Sequence, residues 1–282
     1  MRGGRSGLRL AAVSAAHVMS IPSSAWRAAV GVAASPGRFV IASFVITTAG
    51  LALDIVATVP QQYLLSLAAW GILVVALVPA THAERAQTLV VVGVATLAEV
   101  FGSILVGVYE YRHGNLPLFV PAGHGIIYLT GLRMSQMHWP RANPKRFTAI
   151  AAGGAIAWAV AGLGLLPRLD VAGAVGVSVL VVFLIFSRYR AIYAGVFIAV
   201  AYLEIYGTAV GTWRWAEEIP GINIPDGNPP SGAAAGYVMF DIAALWLAPR
   251  LLGAWASLRA DDPDGRASSA ATHDLGRGGG EG

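Results

Sequence analysis

Ionisable side chains interrupt several apolar stretches of this chain, where a charge is costly. Glu99 lies in one such stretch, and Glu204 lies in another, YLEIYGTAVGTWRW, at residues 202–215. A carboxylate that faced lipid would cost about 2.5–3.5 kcal/mol on insertion scales. We therefore predict that both carboxyl groups face the interior of a helical bundle, where each can be protonated or find a partner.

The two glutamates open similar motifs. EVFGSILVGVYEY starts at Glu99 and EIYGTAVGTWRW starts at Glu204. Each motif has Gly three residues after Glu, then a small hydroxyl residue, a second Gly and two aromatic residues one position apart. The first motif is one residue longer before its second Gly. Downstream, GNLPLFVPAG (114–123) matches GNPPSGAAAG (227–236) without a gap. Two matches in the same order predict an internal repeat.

The repeat also aligns residues that differ in chemistry. On a helix, Glu204, Gly207 and Thr208 share one face, and small residues on a face let another helix approach closely. In the downstream segment His124 aligns with Tyr237, and Tyr128 aligns with Asp241. We predict one interior site, between the outer end of the bundle and its middle. Its candidate catalytic residues are Glu99, His124, Tyr128, Glu204, Tyr237 and Asp241.

Several buried acids with one histidine suit proton transfer. A neutral acid can protonate a double bond or a leaving group while a second carboxylate accepts a proton. A substrate that reaches such a site from the membrane would be apolar, so a lipid or an isoprenoid is expected. The alternative is a divalent metal held by Glu99, His124, Glu204 and Asp241, a plausible ligand set for zinc, iron or manganese without a tight spacing motif. A metal is therefore compatible with the site but not required by it, and the cofactor stays open.

Five further residues are candidates for substrate binding. Asn115 and Asn228 each precede a predicted helix with Pro two residues on, so they can cap it, and the two helix N-termini could hold an anionic head group. Trp213 and Trp215 are typical of an interfacial aromatic belt and could also line a pocket. Asp54 lies in the first apolar stretch and could contribute to the site.

Composition places these residues in a membrane. Of 282 residues, 56% are hydrophobic and 12% are charged, whereas soluble domains average about 25% charged residues. Such a chain could not cover its own surface with polar groups. The chain has a net charge of +4, and its basic residues lie in short loops between apolar runs. This placement favours a role in setting the orientation of the protein in the membrane and not in nucleic-acid binding. With no cysteine, disulfides and thiol chemistry are excluded.

We predict an all-α, polytopic membrane bundle of about eight transmembrane helices. A bilayer-spanning helix needs about 20 apolar residues. The predicted spans cover residues 39–59, 63–80, 87–108, 118–132, 147–166, 171–186, 191–211 and 232–249. Basic residues concentrate in alternate loops, which predicts a plasma-membrane protein with both termini cytoplasmic and with loops 109–117 and 212–231 outward.

The repeat divides the chain into two halves of four helices. We predict a first repeat over residues 37–132 and a second over residues 133–252, parallel to each other because four is even. Residues 1–36 are expected to be a disordered cytoplasmic arm, with a cleaved signal peptide as the alternative. Residues 253–282 have the composition of a disordered cytoplasmic tail.

The motifs carry a local resemblance. Glu, Gly three residues on, a further Gly and an aromatic pair resemble the motif of membrane carotenoid hydratases of the bisanhydrobacterioruberin hydratase type, over about a dozen residues in each half. The segment with Asn-x-Pro departs from that family. The whole chain is similar to multi-pass proteins of high-GC actinobacteria, and Lys145 is the single lysine among 19 basic residues.

These features predict an enzyme that hydrates, isomerises or cyclises a lipid or an isoprenoid by proton transfer near the outer leaflet. The resemblance implies hydration. Membrane lipids and an apolar substrate are the expected partners, and the oligomeric state is open. A proton-coupled transporter is the alternative, because repeats and buried protonatable groups suit a carrier as well. A structural subunit of a membrane complex is a further alternative.

Overall fold

The computed structural model describes residues 23–260, which are mostly helical. The helices are α1 (Ser23–Ala34), α2 (Pro36–Val56), α3 (Val59–Leu77), α4 (His82–Glu99), α5 (Phe119–Gln136), α6 (His138–Ala142), α7 (Pro144–Gly164), α8 (Val171–Phe186), α9 (Arg190–Ala209) and α10 (Ala233–Ala260). A π-helical segment, Val100–Val106, continues α4. The strands are β1 (Tyr109–Tyr111), β2 (Trp213–Trp215), β3 (Glu218–Ile219) and β4 (Ile224–Pro225).

Local sequence signals start these helices. The Thr81 hydroxyl accepts a hydrogen bond from the Glu84 amide, and the Glu84 carboxylate accepts one from the Thr81 amide, which is a capping box at the start of α4. Asp170 caps α8 by accepting a bond from the Gly173 amide. Pro36 and Pro144 occupy the first turns of α2 and α7, where a missing amide hydrogen has no consequence.

The structure confirms a mostly helical protein with several helices fit for a membrane. A helix lies at each of the eight predicted segments. Within residues 23–260, six helices are long and apolar enough to cross a bilayer: α2, α3, α4 with its π-helical extension, α7, α9 and α10. Helix α8 is apolar but has 16 residues, and α5 is not among the six. The count of eight spans therefore stays a prediction.

Helix α5 lies in the middle of the bundle, which explains its polar composition. It packs against α2, α3, α4 and α9, and most of its residues are buried inside the protein. A helix that is enclosed by other helices has no need of an apolar face toward lipid. Its crossing with α9 is close: a side chain at Gly195 would lie 2.2 Å from the carbonyl oxygen of Gly131.

Four helices, α4, α5, α9 and α10, form the central bundle. Helix α4 packs on α5 and α10, and α9 also packs on α5 and α10. This arrangement agrees with the predicted repeat, in which α4 corresponds to α9 and α5 corresponds to α10. The outer helices differ, since α7 packs closely on α8 whereas α2 and α3 scarcely touch each other. The sequence has no match between these outer pairs either.

The two predicted outward loops meet at one end of the bundle. Strand β1 pairs antiparallel with β2, with Glu110 opposite Arg214 at the centre. We call this end, which holds residues 107–118 and 210–232, the loop end. The other end, which holds residues 78–81, 137–143 and 187–190, is called the opposite end. Strands β3 and β4 form a second small hairpin within the loop end.

The terminal segments differ in part from their predicted disorder. Residues 23–34, within the predicted arm, form α1, which packs on α2 and α3. Helix α10 continues to Ala260, so residues 253–260 of the predicted tail are helical. These short stretches are apolar or Ala-rich enough to continue as helices where they adjoin the bundle. The predictions for residues 1–22 and 261–282 lie outside the described residues.

Candidate functional site

A cavity of about 540 Å³ lies below the paired strands at the loop end. Its wall comes from α2, α3, α4, α5, α9 and α10 and from both strands β1 and β2. Most of the lining side chains are aliphatic or aromatic. Six predicted site residues line it: Glu99, His124, Glu204, Trp213, Trp215 and Tyr237. The size is in the range of small-molecule sites in proteins.

Glu99 has a partner that can carry a positive charge. His124 Nε2 lies 2.8 Å from Glu99 Oε1, and both side chains are buried. The Tyr111 hydroxyl donates to Glu99 Oε2 at 2.8 Å. Burial and the nearby Glu99 raise the pKa of Tyr111 well above its usual value, so this hydroxyl stays a donor. The other ring nitrogen of His124, Nδ1, is buried without a hydrogen-bond partner in the described protein.

Glu204 is held by neutral donors instead. The indole Nε1–H groups of Trp213 and Trp215 donate to the same oxygen, Glu204 Oε2, at 3.0 and 3.1 Å. An indole is a donor that takes no positive charge. Because both bonds fall on Oε2, the other carboxyl oxygen is left for a proton or for a molecule in the cavity. The opening motif is thereby explained: Glu204 is the acceptor for the two tryptophans that follow it.

The two motifs build the same local structure. Gly107 and Gly211, the second glycines, both have positive φ, 76° and 78°, a conformation that side chains disfavour. Each turns the chain from a helix into a strand. In each copy the first aromatic ring then covers the earlier glycine, Tyr109 over Gly102 and Trp213 over Gly207. The aromatic pair therefore points back at the glutamate of its own motif.

The extra residue of the first motif lies in the π-helix. Glu99 is eight residues before Gly107, whereas Glu204 is seven residues before Gly211. A π-helical segment accommodates one more residue than an α-helix over the same length. Val100–Val106 is π-helical, while α9 remains α-helical to Ala209. The insertion is thus absorbed before the turn, and the aromatic pairs keep their positions.

The aligned residues of the two copies meet near the centre of the bundle. The rings of His124 and Tyr237 lie 5.1 Å apart between centroids. Asp241 lies close enough to Tyr128 to interact with it electrostatically. Such meetings are expected of equivalent positions near a local two-fold axis. They agree with the repeat, which stays a prediction.

Two of the predicted catalytic residues are separate from the cavity. Asp241 and Tyr128 are fully buried but are not among the lining residues. The Tyr128 hydroxyl donates to Gln87 Oε1 at 3.0 Å, on α4. Both residues lie one helical turn further from the loop end than Tyr237 and His124, which explains the separation. The sequence predicted the shared helical face but not this difference in depth.

The predicted metal-ligand set does not assemble. Within residues 23–260, no group of three or more His, Asp or Glu side chains is arranged to hold a metal ion. Glu99 and His124 are paired with each other, Glu204 is bonded to the two tryptophans, and Asp241 is outside the cavity. The described residues therefore do not support the metal alternative for Glu99, His124, Glu204 and Asp241, which stays a prediction.

The predicted substrate-binding asparagines have other contacts. Asn115 Nδ2 donates to Gln62 Oε1 at 3.1 Å, and Asn228 Oδ1 accepts from the Trp215 amide at 3.0 Å. Neither residue lines the large cavity or caps a helix, since α5 and α10 begin several residues later. Asp54 accepts from Gln62 Nε2 at 2.7 Å and is likewise outside the cavity. Asn115 and Gln62 instead line a second cavity of about 180 Å³ at the loop end.

Charged groups missed in the sequence hold the loop end together. Arg112 donates to backbone carbonyls at the end of α2, and Arg168 donates to the carbonyls of Trp215 and Ala216. Asp170 accepts bonds from the amides of Gly227 and Ser231 at 3.1 and 2.7 Å. Arg112, Arg168 and Asp170 belong to no recognisable motif. Only their position after a predicted span could have suggested that they bind the loops.

A second aspartate, Asp226, lies near Asp170 and has an unpartnered carboxyl oxygen. It is 2% exposed, and its Oδ2 has no partner among the described residues. Burial, together with the negative charge of Asp170, raises the pKa of Asp226 to about 7, although Arg168 acts in the opposite direction. The group can therefore change its protonation state near neutral pH.

Buried polar groups also occur toward the opposite end. Glu84 accepts bonds from Arg133 at 3.4 Å and from Gln136 at 3.0 Å. Together with Tyr128 and Gln87 they continue the polar interior well below the cavity. Buried polar side chains in the described residues therefore extend beyond the one interior site that the sequence predicts.

No protein-family model, curated protein or solved structure matches the chain. The resemblance to carotenoid hydratases and the actinobacterial origin stay predictions. The function is therefore argued from the geometry of the site.

Proposed function

We propose that the protein is an integral membrane enzyme that transfers protons to and from an apolar substrate, a lipid or an isoprenoid, in the large cavity. One observation carries this proposal: two carboxyl groups with different partners, Glu99 and Glu204, line a single apolar cavity. An apolar wall suits an apolar substrate, and a pair of unlike carboxyl groups suits acid–base chemistry.

Access from the membrane is supported by the outer helices. Ile46 and Leu53 line the cavity from α2 and are also 37% and 55% exposed on the protein surface. Helices α2 and α3 scarcely contact each other, and residues of both line the cavity. A hydrophobic chain can pass there without crossing water. The reacting end of a long substrate would lie inside, and the rest would stay in the lipid.

The two carboxyl groups have different roles in this proposal. Glu204, with neutral donors on one oxygen, holds a proton on the other and adds it to a carbon–carbon double bond. The resulting carbocation then loses a proton from a neighbouring carbon to the Glu99–His124 pair, which gives isomerisation or cyclisation. In hydration, water attacks the cation, and the pair accepts the proton of that water. Protons are conserved in each case, and the proton returns to Glu204 before the next turnover.

The test uses purified protein in detergent with an isoprenoid-containing lipid extract in deuterated water. We expect deuterium in the product by mass spectrometry, and Glu204→Gln is expected to lower the rate at least about 100-fold, because general acid–base catalysis contributes about 10²–10⁴. Glu218→Gln, the same change at an exposed loop position, is the matched control. Equal deuterium incorporation by Glu204→Gln and the wild type would contradict the role of Glu204.

A carrier is the second candidate, favoured by the polar residues that continue below the cavity. Transport by a carrier can be measured only across a sealed membrane, whereas an enzyme also converts its substrate in detergent. If the substrate is not chemically changed in detergent but is taken up into vesicles that contain the protein, the carrier is favoured. In both cases we propose the plasma membrane as the location, with the loop end outward.

A further inference from the structure

The second cavity at the loop end, of about 180 Å³, is a separate compartment that we call the small cavity. Its wall comes from residues 59–66 of α3 and from residues 115–118 of the loop. None of the described residues that line it also lines the large cavity. A water molecule takes up about 30 Å³ in the liquid, so the small cavity has room for a larger polar group.

A series of three polar side chains ends at the small cavity. Asp54 on α2 is 1% exposed and accepts a hydrogen bond from Gln62 Nε2 at 2.7 Å. Gln62 Oε1 in turn accepts from Asn115 Nδ2 at 3.1 Å. Because a carboxylate can only accept, Gln62 must direct its NH₂ group at Asp54, which fixes the orientation of both amides. Asn115 Oδ1 is therefore the acceptor at the end of the series.

This terminal acceptor is free. Asn115 Oδ1 is buried and has no hydrogen-bond partner within residues 23–260, although buried polar atoms are nearly always paired. In the aligned position of the other motif, Asn228 Oδ1 accepts from the Trp215 amide at 3.0 Å. A structural role common to both asparagines therefore does not account for Asn115. A group in the small cavity that donates a hydrogen bond does account for it.

The wall of the small cavity offers donors as well as acceptors. The Ser66 hydroxyl donates to the Gln62 carbonyl at 2.7 Å, which leaves the lone pairs of Ser66 Oγ as a further acceptor. The NH₂ group of Asn115 keeps a second hydrogen to donate. A hydroxyl group suits such a wall, because it donates one hydrogen bond and accepts others.

Charges of both signs beside the small cavity disfavour an ionic ligand. The Asp54 carboxylate lies one hydrogen bond behind Gln62, and the Arg112 guanidinium donates to the Asp54 backbone carbonyl. An anionic group would be repelled by the first and a cationic group by the second. A neutral ligand avoids both costs.

An apolar rim connects the small cavity to the protein surface. Val59, Tyr63 and Leu118 line it and are 37%, 59% and 54% exposed. Val59 and Tyr63 lie at the start of α3, which is long and apolar enough to cross a bilayer. The ends of such helices lie at the depth where lipid head groups meet their chains. A chain attached to the bound group can therefore lie over this rim and stay in the lipid.

We propose that the small cavity binds the neutral, hydroxyl-bearing head group of a lipid, whose hydroxyl donates to Asn115 Oδ1. This ligand differs in charge from the anionic head group that the sequence predicts for Asn115. The site needs no reaction in the large cavity, so it is independent of the proposed enzyme function.

The test uses the full-length protein in phosphatidylcholine nanodiscs with monooleoylglycerol that carries a diazirine in its acyl chain, next to the ester. After irradiation, peptide mass spectrometry locates the labelled residues. We expect label on residues 59–66 and 115–118, and unlabelled monooleoylglycerol is expected to remove it. Methyl oleate, which has no hydroxyl, is expected to compete at least about tenfold less well, because it leaves the buried acceptor unpaired. Oleoyl lysophosphatidic acid is also expected to compete poorly, because its phosphate is anionic.

Two variants and a matched control test the assigned residues. Asn115→Leu replaces the free acceptor by an apolar group of similar size, and we expect it to lower the competable labelling at least about tenfold. Ser66→Ala removes a hydroxyl from the wall and is also expected to lower it; this variant decides the matter if Asn115→Leu does not fold. Ser178→Ala, on α8, removes a hydroxyl that likewise donates to the carbonyl four residues earlier, and it is expected to label like the wild type.

Four results would overturn the proposal. The first is labelling confined to the large cavity or spread evenly over the outer helices. The second is competition by methyl oleate equal to that by monooleoylglycerol, and the third is wild-type labelling of both Asn115→Leu and Ser66→Ala. The fourth is competition by free glycerol as strong as by monooleoylglycerol, which would overturn the assignment to a lipid.

Discussion

At the residue scale, two glutamates in matched positions have acquired unlike surroundings. Glu99 pairs with His124, a base, whereas Glu204 accepts only from indole groups. The same element of sequence thus gives two carboxyl groups with different hydrogen-bond partners. The difference arises from the partners, since both side chains are buried to a similar degree.

Asp226 gives a pH prediction at this scale. Its pKa is about 7 in the folded protein and 3.8 as the reference value. Because the folded state binds a proton that the unfolded state has released, the contribution of Asp226 to stability falls as the pH rises through this window and stays low above about 7. We expect the melting temperature in detergent to fall from about pH 5 to about pH 8.

The Asp226→Asn variant should lose this part of the pH dependence. Asparagine is neutral at every pH in the window. The stability of the Asp226→Asn variant relative to that of the wild type should therefore increase from acid to alkaline pH. The matched comparison is Glu218→Gln, an exposed change in the same loop, which should keep the wild-type profile. A wild-type and an Asp226→Asn profile of identical slope would contradict the assignment.

At the element scale, the repeated motif folds the chain after each helix back onto that helix. A left-handed glycine ends each helix, the chain turns back, and an aromatic ring covers an earlier glycine of the same helix. The π-helical segment of the first copy absorbs its extra residue. The geometry of the loop is therefore preserved although the spacing in the sequence is not.

The two covered glycines differ in how much space they leave, which gives a matched pair of variants. A Cβ at Gly207 would lie 2.0 Å from the Trp213 ring, whereas a Cβ at Gly102 would lie 3.4 Å from the Tyr109 ring. Gly207→Ala must therefore displace Trp213 from Glu204. We expect it to lower the free energy of unfolding by about 1–3 kcal/mol, as overpacking does.

Gly102→Ala should cost much less, because its contact is close to ordinary packing distance. Thermal unfolding of both variants in detergent, together with the near-UV circular dichroism of the tryptophans, measures the difference. Equal melting temperatures and equal tryptophan signals for Gly207→Ala and the wild type would show that Trp213 is not held over this helix.

At the scale of the whole molecule, the two predicted halves share a central bundle and differ outside it. Helices α2 and α3 scarcely contact each other and both line the cavity, whereas α7 and α8 pack closely, and Asp170 accepts bonds from the Gly227 and Ser231 amides at the loop end. In the function proposed above, α2 and α3 provide access from the membrane, and α7 and α8 support the loop end. The predicted repeat, with unequal outer helices, would account for an asymmetric cavity beside a central bundle of matched helices.

The topology of this assembly can be tested because the chain has no cysteine. Single exposed cysteines are introduced as Glu110→Cys, Glu218→Cys and Arg141→Cys, and intact cells are treated with a membrane-impermeant maleimide. With eight spans, we expect the first two to be labelled from outside and Arg141→Cys to be labelled only after permeabilisation. If α5 does not cross the membrane, Arg141→Cys will be labelled together with Glu110→Cys.

The sequence by itself determined the membrane class, the helical segments and the matched motifs. Long apolar runs leave few alternatives to helices, because every backbone polar group in lipid must be satisfied within its own segment. Glu99, His124, Glu204 and Tyr237 could be chosen in advance, since a shared helical face follows from spacing alone. The separation of Asp241 and Tyr128 from the cavity could not.

Only the tertiary structure decided which partner each polar group takes. The pairing of β1 with β2, the bonds from the tryptophans to Glu204, and the contacts of Asn115 and Asn228 join residues far apart in the chain. Such contacts depend on how helices are rotated and how deep each residue lies, and helical periodicity specifies neither quantity across different helices. For the same reason the metal-ligand set, plausible by residue type, did not assemble.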